Sequence, residues 1–429
     1  MIEQGCPAGQ VRVEVDLIRK AFGKAGKDID AAWRDVNDLE FMYQKGVILV
    51  RDAYLPQVPN VVGGGAPIDG LIDGVTLYSI ANAATSGVIA ALDKIDQELG
   101  VGVAAPNYVL WASAAHMCPA TDPQPVPAGS GPHPGQCPGR DGSGVQIYVP
   151  DTGLLTDGPA HPWLAGVTGD PDPLLGPAGA EPRILPYCGH GTFIAGVARC
   201  MAPVADIYVA SLLKFHGAEL ESEIVKHLDR ALDQYPDIIS LSAGTTTRWN
   251  HPPLALEALW HRYRQCKGVL LVAAASNSGD RTPFWPAAFP QVVSVGALAS
   301  NWRSRASFSD YGGWVDVYAP GEDLVNAFAT GTYSNNWPPD DSASPVTHEF
   351  HGMARWSGTS FSTPLVAGLI AARMSRAGEN SRRAADALLS QARAQALPGV
   401  GPVLYPCDKG ADCHCLVEER CEHGARTRS

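Results

Sequence analysis

Residues 357–372 read SGTSFSTPLVAGLIAA, a hydroxyl-rich turn that runs directly into an apolar helix of small residues. Ser360 falls at or beside the predicted helix start, where backbone N–H groups lack partners and the helix dipole favours negative charge. The oxyanion of an acyl transfer is such a charge. Pro364 costs a hydrogen bond only near the first turn, where the loss is tolerated. The stretch predicts a nucleophilic serine at a helix N-terminus, in a G-x-S-x-S pattern rather than a G-x-S-x-G elbow.

Two further motifs supply a carboxylate and an imidazole. Asp151-Thr152-Gly153 follows an apolar strand candidate, at the edge where open α/β sheets place their sites. Aspartic proteases share this tripeptide but need two such carboxylates. No second D-[ST]-G occurs, which disfavours an aspartic protease. The alternative to a catalytic Asp151 is an aspartate that only forms a turn after the strand. His190 lies between two glycines at a predicted helix start, where glycine allows close backbone approach. No H-x-x-x-H or H-E-x-x-H pattern accompanies it, which disfavours a metal ligand.

Asn277 lies in a fourth motif, AAASNSG at residues 273–279, directly after a buried strand candidate. Alone, such a motif usually indicates a turn, and only the presence of the Asp151, His190 and Ser360 motifs suggests a functional role for Asn277. Between residues 145 and 397, short apolar strands alternate with helical patterns, as is typical of a mostly parallel α/β sheet. The strand candidates are Val145–Tyr148, Ile207–Ala210, Ile238–Leu241, Val269–Ala273 and Val292–Val295, and the helix candidates are Phe193–Cys200, Glu221–Gln234, Pro252–Cys266 and Ser362–Ala377.

In the chain order Asp, His, Asn and Ser, these motifs resemble those of the subtilisin-like serine peptidases, the subtilases. The likeness covers roughly residues 145–397 and extends to Trp285–Gly296 and Phe308–Gly321. It implies the α/β subtilisin-like three-layer fold with a mostly parallel central sheet. It also implies a serine endopeptidase that hydrolyses protein or peptide substrates and needs no cofactor.

The resemblance implies a role for each motif. Asp151, His190 and Ser360 would form the catalytic triad, in which the imidazole takes the serine proton and the carboxylate holds the imidazole. The Asn277 amide and a backbone N–H at Ser360 would donate to the oxyanion on the path to an acyl-enzyme. The walls of the primary substrate pocket would be Ser242, Ala243 and Gly244 on one side and Ala274, Ala275 and Ser276 on the other. Because neither wall is charged, we expect a small or apolar preferred side chain.

Three other functions compete with this hypothesis. Sedolisin-type proteases share the Ser-Gly-Thr-Ser signature but use Glu and Asp where this chain has His190 and Asn277, which rejects them. A non-catalytic binding protein on the same fold is disfavoured because every triad residue is present. A dedicated processing protease with one peptide substrate stays open, because the N-terminal residues lack the pattern of a secretory signal.

The residues before the catalytic segment loosely resemble the small α+β inhibitory propeptide of the family, and an ordinary accessory domain is the alternative. Their pattern is a charged helical start at Val13–Leu39, apolar strands at Gly46–Arg51 and Val75–Ser79, a helix at Ser86–Leu99, and a last strand at Val103–Trp111 that would lead toward the active site. As a propeptide, this region would inhibit the active site intramolecularly until cut within Ala112–Gly144. The predicted domains are residues 1–115, a Pro/Gly-rich exposed linker 116–144, the catalytic domain 145–397 and a Cys-rich tail 398–429.

Composition excludes several classes of partner. The net charge of −12 disfavours nucleic acid, and the lack of an apolar run of about 18 residues predicts no membrane span. Hydrophobic residues make up 45% and charged residues 18%, the balance of a soluble globular protein. Without a signal-like start, we expect a cytoplasmic location.

The sequence specifies neither a metal site nor a disulfide. Asp170-Pro-Asp172 is an acidic loop, but no EF-hand spacing occurs, so no calcium site is assigned. Cys188 and Cys200 flank the His190 helix, which leaves a disulfide and two structural thiols equally open. The tail combines four cysteines with His414 and His423, and its C-x-C spacing is not the usual zinc pair, so disulfides or a disordered tail are the alternatives to zinc.

Overall fold

The computed structural model describes residues 10–36, 38–81, 83–112, 121–137, 139, 141–156, 160–176, 184–334 and 347–406, with the backbone alone at 83–86. The tail cysteines, with His414 and His423, lie outside the described residues. The predictions made for them are therefore untested.

The N-terminal region is an antiparallel sheet with three helices. Its elements are α1 (Gln10–Lys24), β1 (Ile29–Asp35), β2 (Asp38–Arg51), α2 (Val58–Val62), β3 (Gly65–Ile72), β4 (Val75–Ile80), α3 (Ala83–Glu98) and β5 (Ala104–Trp111). The strands pair in the order β5-β2-β4-β3, and β1 pairs with β2. Apolar residues at spacings of three and four give α1 one buried face, made of Val11, Val15, Ile18 and Phe22.

The predicted helix over Val13–Leu39 is wrong beyond Lys24. Gly26 adopts a left-handed conformation, with φ at 72°, as glycines that end helices commonly do. Ile29–Asp35 then pairs with β2 instead of continuing the helix. Long-range pairing, which local periodicity does not report, supplies the partners of this backbone.

Within the predicted exposed linker 116–144, residues 121–137 are exposed or partly exposed except for Pro123 and Pro134, but they also form backbone pairs that the prediction did not include. Gln124–Pro125 forms β6, which pairs antiparallel with a later strand at Arg355 and Ala354. The His133 N–H donates to the Val325 carbonyl at 2.8 Å, and the Val325 N–H donates back at 2.9 Å. Main-chain pairing requires no apolar side chain, so composition alone did not reveal that this segment lies along the catalytic region.

The catalytic region is built on a parallel sheet. Its elements are β7 (Gln146–Asp151), β8 (Thr168–Gly169), α4 (His190–Met201), β9 (Asp206–Ser211), β10 (Ala218–Leu220), α5 (Glu221–Leu232), β11 (Ile238–Leu241), α6 (Leu254–Tyr263), β12 (Leu270–Ala274), β13 (Val293–Leu298), β14 (Val317–Pro320), β15 (Leu324–Ser334), β16 (Thr347–Trp356), α7 (Thr359–Ala377) and α8 (Ser381–Ala394). Seven strands pair in parallel in the order β14-β13-β12-β11-β7-β9-β8. Every residue of β11, β12 and β13 is buried, as expected for strands covered on both faces. The predicted α/β fold is confirmed.

Small residues allow α4 and α7 to pack closely against each other. A Cβ atom at Gly368 of α7 would lie 2.6 Å from the Met201 Cβ and 2.7 Å from the Ala198 carbonyl oxygen of α4. α7 packs on β11 to β14 and α4 on β7 and β9, whereas α5 and α6 contact the N-terminal sheet. Because His190 begins α4 and Ser360 is the second residue of α7, this packing brings both to one edge of the sheet.

The packed part of the catalytic region extends past the predicted boundary at residue 397. Val403 forms a parallel bridge with Tyr318, and the side chains of Val403 and Leu404 are buried. Residues 398–406 therefore pack as part of this domain.

Candidate active site

Asp151 and His190 form a buried pair. Asp151 ends β7, and its Oδ1 lies 2.8 Å from His190 Nδ1. The same Oδ1 accepts the Thr152 N–H at 2.8 Å, which fixes the carboxylate plane. The two side chains are at most 2% exposed. With Nδ1 held by the carboxylate, Nε2 is the ring nitrogen that can exchange a proton.

Ser360 and Asn277 lie at the start of α7, whose Phe361 ring contacts His190. The ring of Phe361, next to Ser360, has its centroid 5.4 Å from that of His190. Asn277 Oδ1 accepts the Thr359 N–H at 2.8 Å and the Thr359 hydroxyl at 2.9 Å. This orientation leaves the Asn277 amide nitrogen to donate elsewhere. Sequence reasoning missed this use of Thr359, although Thr359 stands directly before the predicted nucleophile.

The predicted pocket walls lie at the carboxyl ends of two adjacent strands. Ser242, Ala243 and Gly244 follow β11, and the Ser242 hydroxyl donates to the Ser360 carbonyl at 2.8 Å. Ala274 ends β12, and the next two residues, Ala275 and Ser276, continue from it. All six residues are buried, and Ser276 has a left-handed backbone with φ at 91°. The structure thus brings together both predicted walls and the predicted nucleophile.

The end of the N-terminal region lies along the first of these walls, between Gly244 and β10. Trp111 and Gly244 exchange backbone hydrogen bonds of 3.0 and 3.1 Å, and β10 pairs antiparallel with β5 on the other side. The Ala112 N–H donates to the Gly217 carbonyl at 2.8 Å. The Ser360 Oγ donates to the Ala112 carbonyl at 2.9 Å. The strand therefore ends at the predicted nucleophile. The β10 edge was missed from the sequence because three residues directly before the helix candidate Glu221–Gln234 are too few to show a periodicity.

Charged and polar pairs tie the N-terminal region to the catalytic region around this strand. Arg248 forms ion pairs with Asp93 and Asp96 of α3. Asn107 of β5 donates to the Ser222 hydroxyl at 2.9 Å and accepts the Ser222 N–H at 3.1 Å. The buried Asn107 amide thus has a matched partner across the contact.

Helix α1 covers the outer side of β5. Its buried face packs in one apolar cluster with Val109 and Trp111 of β5 and with Ala218 and Leu220 of β10. The Phe22 ring centroid lies 4.1 Å from that of Phe215 in the catalytic region. Both regions therefore contribute to the burial of Trp111, which is 2% exposed.

Two buried carboxyl groups near the site have raised pKa values. Burial raises the pKa of Glu221 to about 8, although its Oε1 accepts the backbone N–H groups of Ala255 and Leu256 at the start of α6. Burial raises the pKa of Asp172 to about 6, and bonds from Gly189, Leu174 and Thr152 oppose that rise.

Metal sites and disulfides can be examined within the described residues. Within the described ranges, no group of three or more His, Cys, Asp or Glu side chains could hold a metal ion. Asp170 uses its carboxylate on the Tyr208 hydroxyl and the Ser211 N–H. Cys188 and Cys200 lie at opposite ends of α4, roughly 15 Å apart at 1.5 Å per residue, which rules out a disulfide between them.

No helix in the described part of the chain is long and apolar enough to cross a membrane.

Comparison with known proteins agrees with this geometry. The sequence model of the Subtilase family matches residues 142–402. Thermitase from Thermoactinomyces vulgaris is 31% identical over 266 residues, covering 57% of this chain and 81% of thermitase. A thermophilic serine proteinase from Bacillus sp. (strain AK1) is 33% identical over 264 residues, covering 56% of this chain and 55% of that relative.

A solved structure extends the comparison of the fold. Fervidolysin from Fervidobacterium pennivorans superposes with a TM-score of 0.57 over 88% of this chain and 61% of its own, at 17% identity. At that identity the likeness concerns the fold alone. The family match spans more than half of the chain and includes the Asp-His pair, the buried serine and the asparagine beside it. This chain therefore belongs to the subtilase family and is a subtilisin-like serine endopeptidase.

Proposed function

We propose that the enzyme cleaves peptide bonds through an acyl-enzyme on Ser360 and that residues 10–112 act as its intramolecular propeptide. His190 Nε2 takes the Ser360 proton as Oγ attacks the substrate carbonyl carbon. Asp151 stabilises the imidazolium that forms. His190 then gives the proton to the leaving amine, and water hydrolyses the acyl-enzyme by the same steps in reverse order.

Asn277 supplies electrostatic stabilisation in this mechanism. Its Oδ1 is occupied by Thr359, so its amide nitrogen is the part that donates to the oxyanion, together with the Ser360 N–H at the start of α7. The two bonds to Thr359 orient the Asn277 side chain before the charge forms. Substrate entry thus requires no reorientation of this side chain.

Asn277→Leu is expected to lower kcat by about 10²-fold, with KM changed less than threefold, because the lost donor acts on the transition state. The measurement is steady-state hydrolysis of a chromogenic peptide after self-cleavage. Asn326→Leu, a buried asparagine away from the cleft on β15, is the matched control for folding. A similar kcat for Asn277→Leu and the parent would remove Asn277 from the mechanism.

The observation that carries the propeptide proposal is the hydrogen bond from the Ser360 Oγ to the Ala112 carbonyl at 2.9 Å. β5 adds a strand between Gly244 and β10, the way an extended peptide binds to sheet edges. We propose that self-cleavage occurs at one of the two peptide bonds that follow Ala112. The residue before the cut is then Ala112 or Ser113, which supports a preference for small side chains.

Intact mass of the purified whole chain tests this proposal. We expect two fragments joined non-covalently, whose masses place the cut at one of these two bonds, together with labelling of Ser360 by a fluorophosphonate. Labelling without a cut would retain the protease and make residues 10–112 an accessory domain. A folded chain that shows neither, even without its N-terminal region, would refute the catalytic assignment.

The pKa of Glu221 predicts a pH dependence. A carboxyl group whose pKa is higher in the folded state binds protons more tightly there, so its stabilising effect is full below about pH 4.5 and is lost towards pH 8. Uncleaved Ser360→Ala protein is expected to lose several degrees of Tm between about pH 5 and 8 from this source. Adding Glu221→Gln, which resembles the neutral carboxyl, should flatten the slope. Glu223→Gln, at a more exposed position of α5, is the control, and equal slopes in all three proteins would contradict the prediction.

A further inference from the structure

A second buried carboxylate lies behind the Asp151–His190 pair. Asp172 belongs to the loop after β8 and is 7% exposed. Its Oδ2 accepts the Thr152 hydroxyl at 2.9 Å and the Gly189 N–H at 2.8 Å, and its Oδ1 accepts the Leu174 N–H at 2.9 Å. All three donors are neutral, so this carboxylate has no cationic partner among its hydrogen bonds.

The partners of Asp172 are the chain neighbours of two catalytic residues. Thr152 directly follows Asp151, and Gly189 directly precedes His190. The Thr152 hydroxyl also accepts the Gly191 N–H at 3.1 Å, so it donates to one segment and accepts from the other. One carboxylate and one hydroxyl thereby join the end of β7 to the start of α4.

Glycines allow these segments to come close enough for this network. A Cβ at Gly191 would lie 2.5 Å from the Gly153 carbonyl oxygen. A Cβ at Gly153, whose φ is 109°, would lie 2.9 Å from the Asp172 Cα. Gly153 and Gly191 therefore allow the Asp151 and His190 segments to pack against each other, because a side chain at either position would clash.

We propose that Asp172 is a positioning residue for the triad, which holds Asp151 and His190 in reactive geometry through Thr152 and Gly189. The inference rests on the proposed roles of Asp151, His190 and Ser360. Asp172 contacts neither the substrate nor the reacting atoms. Because displacements of about 1 Å can cost about 10²-fold in rate, loosening this link should act on the chemical step.

Asp172→Asn is the first test. A carboxamide keeps the size of the side chain, but only one of its two terminal atoms accepts hydrogen bonds, so the links to Thr152, Gly189 and Leu174 cannot all persist. We expect kcat to fall by about 10- to 100-fold, with KM within about twofold because the walls at 242–244 and 274–276 are unchanged. The active fraction is counted by fluorophosphonate titration of the self-processed chain.

Asp316→Asn is the matched control. Asp316 Oδ2 also accepts a backbone N–H and a hydroxyl, both from Ser294, at 3.0 and 3.1 Å, but at the far side of the sheet. We expect this variant to lower Tm while kcat stays within about twofold. A loss of kcat in Asp172→Asn alone then separates positioning from general stability.

Thr152 variants test whether Asp172 acts through its hydrogen bonds. Thr152→Val removes the hydroxyl and should lower kcat about tenfold, whereas Thr152→Ser restores the hydroxyl and should recover most of the rate. Since both residues belong to one network, Asp172→Asn with Thr152→Val should cost little more than the worse single change.

The outcomes separate this inference from the proposed function. If the parent labels at Ser360 but Asp172→Asn keeps its kcat within twofold, the positioning role is overturned and the mechanism stands. The positioning role would also be overturned if the kcat losses of Asp172→Asn and Thr152→Val multiply in the double variant. If the folded parent, freed of its N-terminal region, does not label, the catalytic assignment itself fails.

Discussion

Ser360→Ala is expected to abolish self-cleavage of the whole chain and to lower kcat for peptide hydrolysis by about 10⁶-fold, the size known for the same loss in subtilisin. The physical reason is that no other group can form the acyl-enzyme. The fold should persist, because Ser360 is small and its Oγ bonds only to Ala112 among the described residues. Intact mass, fluorophosphonate labelling and Tm are measured side by side with the parent.

Ser362→Ala is the matched control for this result. Ser362 lies two residues further along α7, is fully buried, and has a hydroxyl with no hydrogen-bond partner within the described ranges. We expect it to process and label like the parent. Self-cleavage that persists in Ser360→Ala, with the same fragment masses, would mean that another protease makes the cut.

Trp111→Ala is expected to weaken inhibition by the cleaved N-terminal fragment by about 10²–10³-fold. Loss of a buried tryptophan side chain costs about 3–5 kcal/mol, and each 1.4 kcal/mol is a factor of ten in Kd. Trp111 packs in one apolar cluster with α1 and β10, so its removal weakens the hold of the catalytic region on the N-terminal region. The measurement is the rate at which peptide-hydrolysing activity appears after self-cleavage.

Trp33→Ala distinguishes this effect from simple unfolding of the N-terminal region. Trp33 contacts the same apolar cluster from β1 but is not on the strand that enters the cleft. We expect activity to appear at nearly the parent rate in Trp33→Ala and much faster in Trp111→Ala. Equal rates in both variants would show that Trp111 acts only through the stability of its own region.

Much of the catalytic region could be predicted because its signals are local. The buried strand Ile238–Leu241 was predicted with its observed bounds, since a short apolar run next to polar turns suits a strand covered on both faces. The candidates Asp151, His190 and Ser360 stand at a strand end or a helix start, and Asn277 follows β12 by three residues, so each motif lies at or next to an element boundary. Asp172 could not be predicted, because nothing in its neighbouring residues indicates which distant N–H groups it would accept.

The N-terminal region shows the opposite case. Helix α3 was predicted from periodicity as Ser86–Leu99, and β4 from the loose resemblance as Val75–Ser79, but the end of α1 and the pairing of β1 depend on contacts distant in sequence. The described part of the Pro/Gly-rich segment is largely exposed, as predicted, but the pairing of β6 was not predicted, because it is formed by backbone atoms that composition does not describe.

By itself, the sequence determined the fold class, the family and the four polar residues that can carry peptide hydrolysis. These depend on short motifs whose chemistry is local to a strand end or a helix start. A last N-terminal strand leading toward the active site was also predicted, but only the tertiary structure decided that it ends with the Ala112 carbonyl on Ser360, that α1 covers Trp111 and that Asp172 joins the segments of Asp151 and His190. Each of these is a contact between residues far apart in the chain, and such contacts arise from packing and backbone pairing rather than from any local pattern.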